Sequence, residues 1–339
     1  MIKNLRKTTS LGFVCAVVLA LLVGTLSLQA ANESPQTTAG VSSREHLVIL
    51  HINDTHGHLS ARTVNGRSIG GIARLATMVK QIRQENPDRV LLLHAGDVFS
   101  RGDAVTNRYR GAANFDLMNR IGFDAMVPGN GDYYFGIDNL RQRISEAKFV
   151  VLGGNIFQTV GQESKPVGKD FAIKNVGPLR VGLLGLSLIY PEDTSSRNLQ
   201  TGHNINLAKN WIARMNGQTD LVVLLSHLGL PSDTVLAGLL SGVHIVVGGH
   251  THSILAEPII IRHPGGSPDK TYIVQAGEYY GYLGRIDLTF TKTDDKSWQL
   301  TDVTSQLIPI AEPIKADAEI AKRLAEYQKS LTEAVHKAD

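Results

Sequence analysis

The sequence predicts an α/β fold in which a parallel βαβ core is joined by an antiparallel portion. Short apolar runs rich in Val, Ile and Leu alternate with stretches whose apolar residues recur at helical spacing, as strands and helices do. Near the C-terminus, the predicted strands follow one another more closely, as expected when an antiparallel portion joins a βαβ core. At 339 residues the chain is long enough for one large domain.

The N-terminus has the pattern of a secretory signal peptide over residues 1–30. Three basic residues precede an apolar stretch at 11–28, and small residues follow it, so we expect cleavage after Ala30. An uncleaved membrane anchor is the alternative, because the stretch is long enough to span a bilayer. We expect a periplasmic or secreted protein with no stable membrane association after cleavage.

The composition of the chain limits the classes of molecule that it is expected to bind. Cys15, the only cysteine, lies in the signal segment, so disulfides cannot stabilise the mature chain. The formal net charge is +3, and the signal holds three basic and no acidic residues, which leaves the mature chain neutral. A neutral chain lacks the basic field that attracts nucleic acid polymers. A small phosphorylated solute is the expected partner, and the oligomeric state stays open.

After a polar, flexible lead-in at 31–45, the main domain is expected over 46–312. The first strand is followed by apolar residues at helical spacing, beginning at Ile72. Further helices are predicted around 110–121, 139–147, 206–217 and 232–241. Further strands are predicted at 149–153, 180–187, 270–276 and 282–290.

Residues 313–339 are predicted to form one amphipathic helix. Its apolar stripe comprises Ile320, Leu324, Tyr327, Leu331 and Val335, with charged residues elsewhere. We favour docking of this helix on its own domain, and a partner or a dimer is the alternative.

Polar residues stand at or just after the ends of five apolar runs. In open α/β sheets, ligands bind beyond the carboxyl ends of the strands, so these residues are expected to share one site. Imidazole, carboxylate and amide groups without cysteine favour a divalent metal site. The set is too large for one ion but fits two ions about 3.5–4 Å apart, an arrangement that suits phosphoryl transfer. The residues are Asp54, His56, Asp97, Asn130, His227, His250 and His252.

Five motifs resemble those of the calcineurin-like metallophosphoesterases, and more narrowly the catalytic domain of the 5′-nucleotidases and UDP-sugar hydrolases. The motifs are HINDTHGHL at 51–59, HAGDVFSRGD at 94–103, PGNGDYYFG at 128–136, LLSHLG at 224–229 and GGHTH at 248–252. The resemblance covers residues 46–312. It implies a single-domain, four-layer α/β/β/α sandwich that binds two divalent metal ions, with Zn, Mn, Fe and Ca all left open.

The resemblance also implies which residues hold the ions. One ion is assigned to Asp54, His56, Asp97 and His252, and the other to Asp97, Asn130, His227 and His250, so that Asp97 bridges them. Catalytic roles are assigned to Asp97, Asn130 and Asp132.

One position departs from the family pattern. Gly131 stands where the family has a histidine that stabilises the transition state or protonates the leaving oxygen. Loss of such a group typically lowers the rate about 10²–10⁴-fold. Residues considered as partial substitutes are His58, His94, Arg101, Tyr133 and Tyr134.

Two functions therefore stay open. The first is an exported phosphoesterase that hydrolyses phosphomonoesters or phosphodiesters, with nucleotide-like substrates and broad specificity, because the family's C-terminal nucleotide-recognition domain does not follow. The second is a non-catalytic relative that binds metal or phosphorylated ligands.

Overall fold

The computed structural model describes residues 43–190, 192–266, 268–294 and 297–335. The predicted signal peptide lies outside these residues, as does the lead-in up to residue 42. The last two residues of the predicted lead-in, Arg44 and Glu45, belong to the first strand, where they pair with a neighbouring strand of the sheet. None of the helices in these ranges is long and apolar enough to cross a membrane.

The helices of the described ranges are α1 (Ile72–Glu85), α2 (Ala104–Tyr109), α3 (Ala112–Ile121), α4 (Ile137–Glu146), α5 (Asn204–Met215), α6 (Leu230–Leu239) and α7 (Ala318–Val335). The first eight strands are β1 (Arg44–Ile52), β2 (Arg62–Val64), β3 (Arg67–Ile69), β4 (Val90–His94), β5 (Ala125–Met126), β6 (Val150–Val151), β7 (Ile156–Val160) and β8 (Glu163–Pro166). The later strands are β9 (Phe171–Val176), β10 (Leu179–Leu186), β11 (Leu199–Thr201), β12 (Leu221–Ser226), β13 (Ile245–Gly248), β14 (Ile259–Arg262), β15 (Lys270–Val274), β16 (Tyr282–Lys292) and β17 (Trp298–Pro309).

Two six-stranded sheets form the centre of the molecule. The first has the order β17-β16-β1-β4-β5-β6, with β1, β4, β5 and β6 parallel to one another, β16 antiparallel to β1, and β17 antiparallel to β16. The second has the order β14-β15-β13-β12-β10-β9, with antiparallel strands only at its two edges. A predominantly parallel core joined by antiparallel strands is what the sequence pattern predicted.

Alternation along β1 shows how the layers are stacked. Leu47 and Ile49 face the second sheet, and they share a buried cluster with Val223 of β12. Val48 and Leu50 point the other way, into the cluster formed with helices α1, α3 and α7. On its outer face the second sheet packs against α5 and α6. The predicted four-layer α/β/β/α sandwich is therefore confirmed.

The C-terminal helix α7 begins at Ala318, whereas the prediction began it at residue 313, and it packs on its own sandwich. Ile320 and Leu324 are buried in the cluster that lies under α1 and α3. At its outer side, Arg323 Nε donates to Asp116 of α3 at 2.6 Å, and the Tyr327 hydroxyl donates to the same carboxylate at 3.0 Å. The helix thus docks intramolecularly, as we favoured from its apolar stripe.

The structure also corrects the predicted element at 110–121. A helix occupies 112–121 there, and a second, unpredicted helix, α2, precedes it. Arg110 and Gly111 separate the two with left-handed φ values of 48° and 82°. Such a conformation interrupts the helical hydrogen bonds, so the stretch cannot be one helix.

Candidate metal centre

The predicted ligands meet at one edge of the sandwich because each follows the carboxyl end of a parallel strand. Asp54 follows β1, Asp97 follows β4, and Asn130 follows β5 and opens a 3₁₀ helix, Asn130–Tyr133. These three come from the first sheet. His227 follows β12 and His250 follows β13, both in the second sheet. The site therefore lies where the two sheets end side by side.

Two groups of donor atoms are close enough to hold a cation. One comprises Asp54, His56 and His252, and the other Asp54, Asp97 and His227, with all donor atoms of a group within 4.8 Å of one another. His252 Nε2 lies 3.3 Å from Asp54 Oδ1, and His227 Nε2 lies 3.3 Å from Asp97 Oδ1. The second oxygen of Asp97 lies 3.6 Å from His56 Nε2. Both carboxylates thus lie between the two groups.

Several of these atoms lack the protein partner that a buried polar atom needs. Among the described residues, His227 Nε2 and Asn130 Oδ1 are buried and accept or donate no hydrogen bond. Nε2 of His56 and Nε2 of His252 face each other at 3.1 Å. Unsatisfied buried polar atoms are costly, and converging imidazole nitrogens and oxygens are the donors that divalent cations bind. The residues present therefore fit a metal centre.

Neighbouring groups orient two of the imidazoles. His227 Nδ1 lies 2.6 Å from the carbonyl oxygen of Ala95, which places its proton there and leaves Nε2 to face Asp97. His252 Nδ1 lies 2.5 Å from Glu278 Oε2. Sequence reasoning missed Glu278, which lies in the stretch VQAGEYYGYLG at 274–284.

His250 differs from the other predicted ligands. Its backbone N–H donates to Asp54 at 2.9 and 3.1 Å, which fixes that carboxylate. Its ring Nε2 lies 3.1 Å from the hydroxyl of Tyr190, and its ring centroid lies 5.3 Å from that of His227. The ring thus adjoins the site but belongs to neither donor group.

Five of the predicted ligands have left-handed backbones, which non-glycine residues rarely adopt. Their φ values are 50° for Asp54, 46° for His56, 56° for Asp97, 72° for His250 and 54° for His252. Each costs on the order of 1 kcal/mol, and such residues cluster at functional sites. The turns reverse the chain at the strand ends and direct the side chains toward one another.

Asp132 lies behind the ligand loops, where it is fully buried. Its carboxylate accepts hydrogen bonds from the backbone N–H groups of Asp97, Val98, Phe99 and Gly129 at 2.8–3.1 Å. Burial and the charge of Asp97 raise the pKa of Asp132, while these amides act in the opposite direction. Its position is that of a residue that holds the Asp97 loop, rather than one that faces the cleft.

The buried charges at the centre are strongly coupled. Burial opposes ionisation of Asp97, but the adjacent His227 and His56 outweigh it and hold the pKa of Asp97 well below its ordinary value. Burial likewise disfavours protonated His227, yet Asp97 and Asp54 raise its pKa to about 10. The site thus stabilises positive charge at the point where the donor atoms converge.

A cleft of about 420 Å³ opens above these residues. Five of the seven predicted ligands line it, all except Asp54 and His227, and its walls also include Ser100, Arg101, Tyr134, Tyr190 and Tyr279. Its size suits a small molecule, and its walls combine the guanidinium group of Arg101 with hydroxyl groups and aromatic rings.

The candidate substitutes for the missing histidine are dispersed. Arg101 and Tyr134 line the cleft. His94 and Tyr133 are buried away from it, hydrogen-bonded to Thr55 and Ser187. The ring centroid of His58 lies 4.4 Å from that of Tyr279.

Comparison with known proteins agrees with this geometry. Residues 47–253 match the family model described as calcineurin-like phosphoesterase. The chain is 32% identical to a 5′-nucleotidase of Bos taurus over 302 residues, which is 80% of this chain and 51% of that protein. A 5′-nucleotidase of Vibrio parahaemolyticus is 29% identical over 87% of this chain and 55% of its own length. The chain thus spans about half the length of these curated relatives.

A solved structure, the 5′-nucleotidase precursor of Thermus thermophilus, is also similar. It superposes with a TM-score of 0.75 at 27% sequence identity, covering 85% of this chain and 59% of that one.

Proposed function

The chain belongs to the calcineurin-like phosphoesterase family, and on that premise we propose that it hydrolyses phosphomonoesters or phosphodiesters of nucleotide-like compounds. The observation that carries the proposal is the pair of donor groups sharing Asp54, beside which the buried atoms His227 Nε2 and Asn130 Oδ1 make no hydrogen bond within the described residues. Two divalent ions are the proposed cofactors, held by the seven residues that follow the strand ends. The names of the relatives support a nucleotide-like substrate.

The residues of the chain have separable tasks in this reaction. When bound, two divalent ions would ionise a water and neutralise charge on a phosphate group. Asp97 reaches both donor groups with its two oxygens, and Asp132 holds the loop that carries it. Asn130 offers a neutral amide oxygen at the base of the cleft. Arg101 lines the cleft and can pair with a phosphate through two N–H groups.

We also propose that this activity is exported, on the basis of the signal-like residues 1–30. N-terminal sequencing of the protein secreted or released from the periplasm should show cleavage after Ala30. Recovery of the full N-terminus in the membrane fraction would instead support the anchor.

Phosphate release in the presence of Mn²⁺, Zn²⁺ or Ca²⁺ tests hydrolysis of monoesters. Chromatography of the products tests hydrolysis of diesters, which frees no inorganic phosphate. A panel of nucleoside monophosphates, UDP-sugars, cyclic nucleotides and p-nitrophenyl phosphate would also test the expected breadth. We expect metal-dependent release that falls in Asp97→Asn by more than the roughly 100-fold caused by loss of an outer-shell partner. Asp170→Asn is a matched control, because that carboxylate forms an exposed ion pair with Arg214.

Gly131 favours a second candidate, a relative that binds metal and phosphate without turnover. Stoichiometric metal binding without hydrolysis of any compound of the panel would support that candidate and reject the hydrolase.

A further inference from the structure

Ser100 and Gly131 compete for one space in the cleft. A Cβ built on Gly131 would overlap Ser100 Oγ and would lie 2.9 Å from Asp97 Oδ1. Real side chains essentially never approach so closely, so the serine hydroxyl can stay where it is only because residue 131 has no side chain. The glycine is thus more than a lost histidine, since another polar group fills its place.

The hydrogen bond between Ser100 and His56 determines where the serine proton can point. Ser100 Oγ lies 3.1 Å from His56 Nδ1, while the opposite nitrogen, His56 Nε2, faces Asp97 at 3.6 Å and Asp54 at 3.8 Å. When Nε2 offers its lone pair to a cation, the single ring proton resides on Nδ1 and is donated to Ser100 Oγ. The serine then acts as acceptor, and its own O–H is left to donate elsewhere.

The structure leaves one direction for that donation. Within residues 43–335 as described, Ser100 Oγ has no hydrogen-bond partner other than His56. Ser100 is only 4% exposed, and it lines the cleft beside Asn130 and Gly131. Its hydroxyl therefore adjoins the space in which a bound phosphate group would lie.

We propose that Ser100 donates a hydrogen bond to a phosphoryl oxygen of the bound ligand, from the space that Gly131 leaves free. The inference rests on the proposed function for its ligand class, but it concerns binding and needs no turnover. A hydroxyl is neutral and keeps its proton at neutral pH, so Ser100 binds and orients the phosphoryl group without acting as a proton donor in catalysis.

Titration with inorganic phosphate at saturating Mn²⁺ tests this inference, with metal content measured on the same samples. We expect Ser100→Ala to weaken phosphate binding on the order of 10–100-fold, the typical effect of losing a hydrogen bond to a charged group. Metal stoichiometry should stay unchanged. Ser100→Thr, which keeps the hydroxyl, should restore most of the affinity. Ser232→Ala, the same change at an exposed position of α6, should match the wild type.

The alternative is that Ser100 only orients His56. In that case Ser100→Ala would lower the Mn²⁺ affinity, and the molecules that remain loaded would bind phosphate as the wild type does. That result would overturn the inference, as would failure of the loaded wild type to bind phosphate. Normal phosphate binding without hydrolysis would reject the proposed function alone, so the two failures can be told apart.

Discussion

Polar groups at the two ends of the same strands differ in whether they form hydrogen bonds within the protein. At the amino end, Arg180 and Asp220 form a backbone-to-carboxylate bond of 2.7 Å and a guanidinium-to-carboxylate bond of 2.9 Å. His244 Nδ1 accepts from the backbone N–H of Val222 at 3.1 Å. At the carboxyl end, by contrast, buried atoms such as His227 Nε2 and Asn130 Oδ1 make no hydrogen bond within the described residues.

The difference does not follow from the size of the openings. The amino end has a cavity of about 520 Å³, larger than the cleft of about 420 Å³ at the carboxyl end. What separates the two is whether the buried polar atoms have hydrogen-bond partners within the described residues. Paired groups such as Arg180 and Asp220 stabilise the fold, whereas unpaired, converging atoms indicate a site whose partner is a ligand.

The largest expected effect is seen when two variants are compared, each lacking one carboxylate, at the carboxyl end in one and at the amino end in the other. Asp54 belongs to both donor groups, so Asp54→Asn should abolish tight binding of both cations and lower phosphate release more than about 100-fold. Asp220→Asn should leave release unchanged and lower the free energy of unfolding by about 0.5–1 kcal/mol. Metal titration, activity and urea denaturation of the two variants measure this. Equal losses of activity would abolish the distinction between the ends.

Binding of a cation should raise the free energy of unfolding, and this gain should depend on carboxylates at the carboxyl end of the strands and not on those at the amino end. A cation at 100 times its dissociation constant should stabilise the wild type by about 2.7 kcal/mol, because it binds the folded state. The same cation should stabilise Asp220→Asn equally and Asp54→Asn little. Thermal unfolding with and without Mn²⁺ shows this, and an equal shift in all three proteins would contradict it.

Acid should destabilise the metal-free protein through histidines that are buried in neutral form. Burial lowers the pKa of His51 to about 3 and that of His244 to about 4, against 6.5 when unfolded. As the pH falls below 6.5, the unfolded state takes up protons that the folded state refuses. Stability is therefore lost toward pH 4, by up to about 1.4 kcal/mol per pH unit for each group.

The contribution of His51 can be tested separately, because neither of its ring nitrogens has a hydrogen-bond partner among the described residues. His51→Leu should lower by one the number of protons that the chain takes up when it unfolds in acid. It should therefore raise the free energy of unfolding at pH 5. Urea denaturation between pH 7 and pH 4.5, in the presence of a chelator, measures both effects. An unchanged slope would mean that His51 is protonated in the folded protein.

The most local expected effect concerns the space that Gly131 and Ser100 share. Gly131→His alone should lower the free energy of unfolding by about 1–3 kcal/mol, because the new side chain overlaps Ser100. The same change should cost less when made together with Ser100→Gly. Denaturation of the two single variants and the double variant gives the coupling between the positions. Additive effects would show that the two residues do not share the space.

The sequence revealed some elements more readily than others. Strands β1, β4, β12 and β13 are buried on both faces and appear as continuous apolar runs. Strands β8 and β17 escaped prediction because one is exposed throughout and the other alternates weakly at a sheet edge. Partly solvated strands leave a weaker pattern, since their pairing is decided by neighbours distant in the chain.

The candidate site shows the same division. By itself, the sequence determined which residue types follow which strand, and this sufficed to predict a ligand set. Only the tertiary structure decided that Asp54, from one sheet, lies 3.8 Å from His227 of the other, and that Ser100 occupies the space beside Gly131. Strand ends are local features of the chain, whereas such contacts depend on how two separately formed sheets pack face to face.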